Sequence, residues 1–407
     1  MAKKYFERTI TPEIPRLTKG FKSLLITGPR QVGKTTLFKH IAEKNRKIAD
    51  LSNETDRDLA RTDPKGFLDT YSPPVLIDEI QYAPGLFSYI RMLVDKSNKN
   101  GQIWMTGSQQ FELMEHVSDS LAGRVVIIEL QGLSIYERNN IGLLQKPFLP
   151  SAAPALQLKH KNVKDTFKII WQGAFPEVIN KNEKDRRYFY ESYVSTYLER
   201  DVRKIINVRD VTVFRTFIKV IAARTSMELN LNDIAKDVGI SPNTVKDWLS
   251  ILRTSGLVFL LQPFFKNITK RFTKTPKMYF IDTGLAAYLA GWTTPESLEI
   301  GVSAGAFFET FVIGEILKSY WHNGENPDVY FYRDSDGKEI DLLICQDNKF
   351  YPIEIKKHST PNLKDITAFK TFGEIPGINL GYGCEICLTP DLQPLSPTVT
   401  AMSIWSI

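Results

Sequence analysis

The amino-acid sequence predicts an α/β protein, and three observations support this fold class. Over about the first 130 residues, short apolar runs alternate with helical stretches, which is the pattern of a parallel sheet with crossover helices. Helical periodicity then dominates residues 165–260. After residue 300, one long helix precedes two strand-like runs. We therefore expect a parallel sheet first, a helical region next and a second α/β region last.

Length and composition limit the number of domains and exclude several classes of protein. With 407 residues and about 100–200 residues per domain, we expect two to four domains. A hydrophobic fraction of 43% and a charged fraction of 24% exclude wholesale disorder. The three cysteines exclude a disulfide framework. No run reaches the ~18 apolar residues of a membrane span and the first residues show no secretory signal, so we predict a cytoplasmic protein without a membrane partner.

Five apolar segments are predicted to form the first sheet. Their continuous apolar character is typical of parallel strands that are buried on both faces. They are Leu24–Thr27, Lys47–Leu51, Val75–Asp78, Ile103–Thr106 and Val125–Leu130. A Pro-rich stretch at residues 145–161 follows them and is predicted to be a linker or loop.

A phosphate-binding motif lies directly after the first predicted strand. The segment fits G-x-x-x-x-G-K-[ST] and stands between an apolar strand and a helix, which is the context that this motif requires. Its backbone N–H groups would surround phosphate oxygens, Lys34 would reach the β- and γ-phosphates, and Thr35 would bind Mg²⁺. The predicted nucleotide-binding residues here are Gly28, Pro29, Arg30, Gln31, Val32, Gly33, Lys34, Thr35 and Thr36.

The ends of the later strands carry further candidate residues. Asp78 ends the third strand and supplies a second contact to Mg²⁺, and the adjacent Glu79 can polarise the attacking water. After the fourth strand, Ser108 or Gln109 would sense the γ-phosphate, unless this segment is a plain strand-to-helix cap. Arg124, before the fifth strand, is either an arginine finger for a neighbouring subunit or part of a surface ion pair.

The segments TGPRQVGKTT, VLIDEIQ, TGSQQ and LAGRVVIIEL, in this order, resemble the AAA-type P-loop ATPases of the additional-strand class, and one bacterial and archaeal family among them. The resemblance implies a Mg²⁺-dependent enzyme that binds and hydrolyses ATP. It also implies a C-terminal domain of unknown function with a winged helix and a nuclease-like fold. Because an arginine finger acts between subunits, we expect a homo-oligomer.

A helix-turn-helix is predicted within Leu229–Val258. Ala235, Gly239 and Val245 have the required spacing, with a small residue for close packing, a turn glycine and an apolar anchor. Ser241 and Pro242 are suited to start the second helix. The residues predicted to point outward from this helix are Asn243, Thr244 and Lys246.

A basic segment follows the helix-turn-helix and would form the wing of a winged helix. Its basic residues are Lys266, Lys270, Arg271, Lys274 and Lys277, and it contains no acidic residue. Phosphate contacts from such a wing would make DNA binding dependent on salt, and the net charge of +6 permits this partner. The alternative is a winged helix that serves in packing or oligomerisation.

The C-terminal strands carry a pattern of carboxylates. Alternation places Asp341 on one face of the first strand, and Glu354 and Lys356 on one face of the second. Two carboxylates can bind Mg²⁺ or Mn²⁺ and a lysine can orient the attacking water, which is chemistry that cleaves phosphodiesters. Glu309 lies on an inward apolar stripe of the preceding helix and is a third candidate metal ligand.

This C-terminal pattern resembles the PD-(D/E)XK nuclease core, with Glu309 on the helix and Ile340 in place of the usual proline before Asp341. Such domains can also bind nucleic acid without cutting it. The sequence therefore predicts an AAA-type domain over residues 1–140, a linker and helical region over 141–225, a winged helix over 226–300 and a restriction-endonuclease-like domain over 301–407.

Two functions are compatible with this organisation. The first is DNA processing that is driven by ATP. The second is a nucleotide switch, as in regulatory or defence-type ATPases, in which the C-terminal domain only binds nucleic acid. The C-x-x-C segment at Cys384 and Cys387 is interpreted as part of a core strand, because a zinc site needs four ligands and no second pair exists.

Overall fold

A computed structural model describes residues 5–108, 121–154, 156–198, 211–265 and 275–407. The chain divides into two compact units. Unit 1 contains the chain as far as Gln145 together with two short segments, Thr254–Gly256 and Trp321–Gly324. Unit 2 contains Lys146–Arg253, Leu257–Tyr320 and Glu325–Ile407. The predicted segments 226–300 and 301–407 are thus largely parts of one compact unit.

Unit 1 is built on a five-stranded parallel sheet with the order β2-β3-β4-β1-β5. The strands begin and end within one residue of the predicted segments. They are β1 (Ser23–Thr27), β2 (Lys47–Asp50), β3 (Val75–Asp78), β4 (Ile103–Thr106) and β5 (Val125–Glu129). Because β4 lies between β1 and β3, the sheet has the additional strand of the predicted class.

Helices cover this sheet and supply the rest of the core of unit 1. They are α1 (Glu13–Gly20), α2 (Lys34–Ile41), α3 (Glu54–Thr62), α4 (Pro64–Thr70), α5 (Leu86–Lys96) and α6 (Ile135–Arg138), with short 3₁₀ turns at Ile80–Tyr82 and Gly142–Leu144. Strand residues such as Leu25, Ile77 and Met105 pack with Phe67 of α4 and Phe87 of α5. This apolar packing fixes the strand ends at which the candidate residues lie.

Unit 2 begins with a mainly helical region and ends in strands. Its helices are α7 (Val163–Gln172), α8 (Glu183–Tyr193) with a π-helical turn at Val194–Leu198, α9 (Val211–Ala223), α10 (Leu231–Val238), α11 (Pro242–Thr254), α12 (Thr283–Leu289), α13 (Pro295–Ile300), α14 (Ala304–Trp321) and α15 (Thr367–Gly373). A 3₁₀ turn at Ile404–Ser406 follows the last strand. Among the residues that the structure describes, no helix is long and apolar enough to cross a membrane.

One nine-stranded sheet runs through unit 2 with the order β13-β14-β12-β11-β10-β9-β7-β8-β6. Its strands are β6 (Met227–Glu228), β7 (Val258–Pro263), β8 (Lys277–Phe280), β9 (Asp328–Arg333), β10 (Glu339–Gln346), β11 (Lys349–Ile355), β12 (Gly383–Cys387), β13 (Gln393–Ser396) and β14 (Val399–Ser403). Strands β7 and β9 pair in parallel and connect the hairpin that follows α11 with the C-terminal strands.

The predicted helix-turn-helix residues lie on α10, on α11 and in the turn between them. Gly239 ends α10 with a φ of 77°, a left-handed conformation that glycine adopts at little cost. Ser241 Oγ accepts a hydrogen bond of 3.1 Å from the Thr244 N–H and caps α11. Val245 is buried, while Lys246 is exposed. The local chemistry that predicted this segment is therefore present in the structure.

The predicted basic wing needs a correction. Four of its residues, Lys266, Lys270, Arg271 and Lys274, lie outside the described residues. Lys277 is described, and its side chain is buried on β8 instead of pointing to solvent. Its ammonium group contacts the carboxylates of unit 2, as detailed below, because a buried charge needs a counter-charge.

Candidate functional site

The phosphate loop joins β1 to α2 and has the backbone that its glycines allow. Gly28 and Gly33 have φ values of 134° and 99°. A Cβ atom at Gly28 would lie 2.0 Å from the carbonyl oxygen of Leu130, so only glycine fits there. Thr36 is exposed on the first turn of α2. The N–H groups at the start of this helix are suited to bind anions.

Lys34 is buried at the start of α2 and turns back over the loop. Its Nζ donates hydrogen bonds of 2.9 Å to the Gly28 carbonyl and 2.7 Å to the Pro29 carbonyl. Burial lowers the pKa of Lys34 to about 8, and the nearby Glu79 opposes this shift. The ammonium group is thus held against the loop, and a bound phosphate would stabilise its charge.

Asp78, at the end of β3, receives hydrogen bonds from two hydroxyl groups. Thr35 Oγ1 donates one of 2.7 Å, and Thr106 Oγ1 donates a second. Burial raises the pKa of Asp78, and these two hydrogen bonds oppose the rise. The site fits Mg²⁺, because a partly desolvated carboxylate beside a hydroxyl offers the hard oxygen ligands that this ion prefers.

Glu79 follows β3 and has a left-handed backbone conformation, with a φ of 55°. Its N–H donates to Thr106 Oγ1 at 3.0 Å, which helps to hold this unfavourable geometry. Ser108 Oγ donates to Oε2 of Glu79 at 2.9 Å, and Gln81 Nε2 donates to the same oxygen. Ser108 therefore lies beside Glu79, whereas Gln109 is outside the described residues.

Arg8 supports the phosphate loop, although it lies outside every sequence motif. Its guanidinium donates to the carbonyl oxygens of Val32 at 2.8 Å and Gln131 at 2.7 Å, and its Nε lies 3.0 Å from Glu137 Oε1. His322 Nδ1 lies 3.2 Å from the other carboxylate oxygen. Burial opposes the charge of Glu137, but Arg8 and His322 outweigh it and hold the pKa of this carboxyl below its usual range.

Arg124 does not lie near the phosphate loop of its own chain. It precedes β5, and Val125 is in register with Ser23 at the start of β1. In a parallel sheet this is the edge opposite the loop, about 16 Å away for a five-residue strand. Arg124 Nε donates to Asp95 Oδ1 at 2.5 Å, which is the surface ion pair that the sequence also allowed. A role toward a neighbouring subunit stays a prediction.

The strand order, the phosphate loop and the acidic end of β3 define unit 1 as an AAA-type ATPase domain. Residues 20–139 match the AAA domain family. Residues 163–296 match Domain of unknown function (DUF8612), and residues 304–407 match Domain of unknown function (DUF4143). The match to the AAA domain family agrees with the class of protein that the site defines. The chain therefore contains an AAA-type ATPase domain that binds ATP.

Two mycobacterial proteins are similar to most of the chain. They are Uncharacterized protein Rv2008c of Mycobacterium tuberculosis and Uncharacterized protein Mb2031c of Mycobacterium bovis. Each is 30% identical over 342 residues, which are 84% of this chain and 71% of the relative. The chain belongs to the family of these two proteins.

Solved structures show a more distant likeness. The Holliday junction branch migration motor RuvB of Thermotoga maritima is 14% identical, with 61% of this chain and 88% of that chain covered and a TM-score of 0.30. A DNA replication initiation factor is 14% identical, with 60% and 85% covered and a TM-score of 0.24. Scores this low do not establish a common overall fold.

A second group of candidate residues converges in unit 2, as the alternation along β10 and β11 predicted. Asp341 Oδ2 accepts a hydrogen bond of 2.9 Å from the Ile355 N–H and lies 3.6 Å from Lys356 Nζ. Lys356 also bonds Glu354. Burial and Asp341 raise the pKa of Glu354, while Lys356 opposes the rise. We call Glu309, Glu339, Asp341 and Glu354 the carboxylate cluster.

Lys277 reaches this carboxylate cluster from β8. Its Nζ lies 3.2 Å from Glu309 Oε1 and 3.7 Å from Asp341 Oδ1, and it pairs with Glu339. Tyr279 donates its hydroxyl to Glu309 Oε1 at 2.7 Å. Burial disfavours the charge of Lys277, but the three carboxylates outweigh it and raise the pKa of this lysine.

The carboxylate cluster does not fit the Mg²⁺ or Mn²⁺ that the nuclease resemblance implies. A metal bound by both Glu309 and Asp341 would have to lie between them, where the Lys277 ammonium lies within 4 Å of each. Asp341 uses its other oxygen for the Ile355 N–H, and Glu354 is paired with Lys356. The predicted metal ligands Glu309, Asp341 and Glu354 thus contact lysine ammonium groups in this structure.

Several of these partners are not evident from the sequence alone. The sequence predicts that Lys277 is part of a basic wing, and it indicates no role for Glu339 or Tyr279. In the segment PKMYF, alternation alone places residues 277 and 279 on one face of a strand, but nothing in the sequence shows that this face meets β10. Glu339 also pairs with Arg333, which contacts Glu228 as well.

We expect ATP affinity to fall above pH 8 because Lys34 loses its proton there. The free protein has a Lys34 pKa of about 8, and bound phosphates favour the charged form, so binding takes up a proton. Above that pH, affinity should drop by about tenfold per pH unit. Titrations with ATP between pH 7 and 9.5 would measure this change. The matched Lys34→Arg variant keeps its positive charge over this pH range. If its ATP affinity fell equally with pH, the fall could not be assigned to the proton of Lys34.

We also expect removal of Lys277 to create a site for divalent cations. In Lys277→Ala the carboxylates lose their counter-cation, so nucleotide-free protein should bind Mn²⁺ at least about tenfold more tightly than the unchanged chain, as paired carboxylates attract hard cations. Electron paramagnetic resonance of free Mn²⁺ measures this binding. The double variant Lys277→Ala/Asp341→Asn should not show this increase in Mn²⁺ affinity. Equally tight, Asp341-dependent binding by the unchanged chain would contradict the prediction.

Proposed function

We propose that this protein is a Mg²⁺-dependent ATPase whose nucleotide cycle controls the binding of DNA by its second unit. The observation that carries the ATPase part is the convergence of Lys34, Asp78 and Glu79 at one edge of the parallel sheet. These residues lie at the ends of neighbouring elements, where a phosphate chain that binds the loop would reach all three.

The proposed roles follow from the contacts in unit 1. Lys34 exchanges its loop carbonyl partners for β- and γ-phosphate oxygens. Thr35 and Asp78 would hold Mg²⁺, which when bound neutralises charge on the phosphates. Glu79 accepts a proton from the water that attacks the γ-phosphate, and the P–O bond to the β-phosphate oxygen breaks. Ser108 and Gln81 keep the Glu79 carboxylate in one orientation.

The proposal includes assembly into a homo-oligomer. The guanidinium of Arg124 lies at the sheet edge opposite its own phosphate loop. If Arg124 is an arginine finger, it therefore acts on the nucleotide of a neighbouring subunit, and it would have to exchange Asp95 for phosphate.

We expect Glu79→Gln to abolish most turnover while ATP still binds. The amide cannot accept the proton of the attacking water, and general bases of this kind contribute about 10²- to 10⁴-fold. Steady-state phosphate release and ATP binding by calorimetry measure the two effects separately. Glu54→Gln, at an exposed position on α3, is the matched control and should keep full activity. Turnover of Glu79→Gln above a tenth of the original rate would remove Glu79 from the proposed mechanism.

DNA binding by unit 2 is supported by the order and exposure of its elements. Helix α9, strand β6, helices α10 and α11, and the antiparallel pair β7 and β8 follow one another in the order of a winged helix. Asn243 and Lys246 are exposed on α11, the helix that would enter the major groove. In the alternative, this winged helix serves only in packing, and the DNA-binding measurement described below distinguishes the two roles.

We propose that the nuclease-like part of unit 2 binds DNA without cutting it. Helix α14 and strands β9 to β11 carry Glu309, Asp341 and Glu354, and Lys356 directly follows β11, which is the order of the PD-(D/E)XK core. However, the Lys277 ammonium lies within 4 Å of both Glu309 and Asp341, the carboxylates that a catalytic metal would have to share. This favours the nucleotide-switch function over ATP-driven DNA processing.

We expect the protein to bind double-stranded DNA in a salt-dependent manner and to leave it uncut in Mg²⁺ or Mn²⁺. Lys246→Ala should lower the slope of log affinity against log salt by about 1, because one phosphate contact is lost. Fluorescence anisotropy with and without ATP measures the slope, and Lys168→Ala, exposed on α7, is the control. Cleavage that disappears in Lys356→Ala would instead establish a nuclease. An unchanged slope in Lys246→Ala would exclude α11 from the interface.

A further inference from the structure

A second group of possible metal ligands lies in unit 2 and includes none of the carboxylate cluster residues. Glu385 and Cys387 alternate along β12, so their side chains share one face of this strand. His358 follows β11, and its carbonyl accepts a hydrogen bond of 2.9 Å from the Leu388 N–H. One ligand atom from each of these three residues lies within 4.8 Å of the other two. We propose that His358, Glu385 and Cys387 bind a transition-metal dication, with Zn²⁺ as the preferred ion.

The contacts of His358 orient one ring nitrogen toward this group. Nε2 lies 3.0 Å from Asp365 Oδ2, and Nδ1 lies 3.8 Å from Glu385 Oε1. A carboxylate partner favours the proton on Nε2, which leaves the Nδ1 lone pair facing a carboxylate oxygen. Two acceptors that face each other are stabilised by a cation between them. The Asp365–His358 pair thus has the arrangement that commonly supports a metal-binding histidine.

Glu385 supplies an independent indication that a ligand is needed. The residue is fully buried, and its Oε1 has no hydrogen-bond partner among the residues that the structure describes. Its Oε2 accepts a long hydrogen bond of 3.4 Å from the Asn362 N–H, and the Cys387 thiol hydrogen-bonds the same carboxylate group. A buried carboxylate oxygen without a partner loses its hydration and gains nothing in return. A cation at this position would restore the lost interaction.

The thiol of Cys387 has to lose its proton before its sulfur can bind a metal ion. Burial raises the pKa of Cys387 to about 12, with the Thr389 N–H opposing and Glu385 adding to the rise. Burial also raises the pKa of Glu385, and His358 opposes that shift. Metal binding would release the Cys387 proton to solvent as the thiolate–metal bond forms.

The combination of ligands selects the kind of metal. A thiolate, an imidazole and a carboxylate suit Zn²⁺, whereas Mg²⁺ and Ca²⁺ prefer oxygen ligands alone. Three protein ligands leave one tetrahedral position for water or another small ligand. The side chain of His358 is 39% exposed, so solvent and metal can reach the site from one side.

The site is separate from the carboxylate cluster, although the two are neighbours. Glu354 is in register with Glu385 across the parallel pair of β11 and β12. The Glu354 carboxylate, however, is paired with Lys356 and is not needed as a ligand. The carboxylate cluster offers only oxygen atoms as ligands, and its lysine partners offer only nitrogen. A thiolate contact therefore distinguishes a metal in the new site from one in the cluster.

The experiment uses the full chain without nucleotide and Co²⁺ as a spectroscopic substitute for Zn²⁺. We expect one Co²⁺ per chain, a sulfur-to-cobalt charge-transfer band and displacement of the band by Zn²⁺. Cys387→Ser should abolish the band, because the thiolate is lost. Cys384→Ser is the matched control, since Cys384 is equally buried on the same strand but points to the opposite face. This variant should keep the band.

A second variant keeps the test decisive if Cys387→Ser does not fold. His358→Ala removes a half-exposed side chain and leaves the thiol in place, and it should weaken Co²⁺ and Zn²⁺ binding at least about tenfold. Circular dichroism confirms that each variant is folded. Absence of the charge-transfer band at stoichiometric Co²⁺, or its persistence in Cys387→Ser, would overturn the proposal. Neither result depends on ATP hydrolysis, so failure here leaves the ATPase proposal unaffected.

Discussion

The carboxylate cluster at the centre of unit 2 depends on its ion pairs with the buried ammonium group of Lys277. Four carboxyl groups lie close together there, and such groups repel one another and resist ionisation unless cations compensate them. Lys277 and Lys356 provide that compensation from within the chain. Because Lys277 is on β8, the hairpin of β7 and β8 is tied electrostatically to α14 and β10. The negative charges of the carboxylate cluster are therefore compensated within the chain, without a metal ion.

The parallel arrangement of the first sheet explains why the predicted ATP-site residues lie together and why Arg124 lies away from the phosphate loop of its own chain. In such a sheet all carboxyl ends of the strands meet at one edge. Residues that follow β1, β3 and β4 therefore come together, whereas a residue that precedes β5 lies at the other edge. Both roles that the sequence predicts for Arg124, a finger for a neighbouring subunit and a surface ion pair, agree with this position. Its partner Asp95 lies near the end of α5, and this pairing carries no signal in the sequence.

The sequence predicted the strands of unit 1 and the phosphate loop because both depend on neighbouring residues. An apolar run, a glycine pattern and a helix start are all visible within a few positions. The alternation along β10 and β11 likewise predicted that Asp341 and Glu354 would approach each other. Contacts between distant segments were not predictable in this way. Arg8 with Glu137 and Lys277 with Asp341 are examples, because a single sequence records residue types but not which buried charges meet.

The position of Arg8 affects where the AAA-type domain can be considered to begin. The family match starts at residue 20, yet the cation that neutralises buried Glu137 lies before that boundary. A chain shortened to residue 20 would keep every nucleotide-binding motif and still leave Glu137 without this guanidinium partner. It would also leave the carbonyls of Val32 and Gln131 without their donor. The folding unit of the AAA-type domain thus begins before the residues that match the AAA domain family, and its first segment supports the phosphate loop.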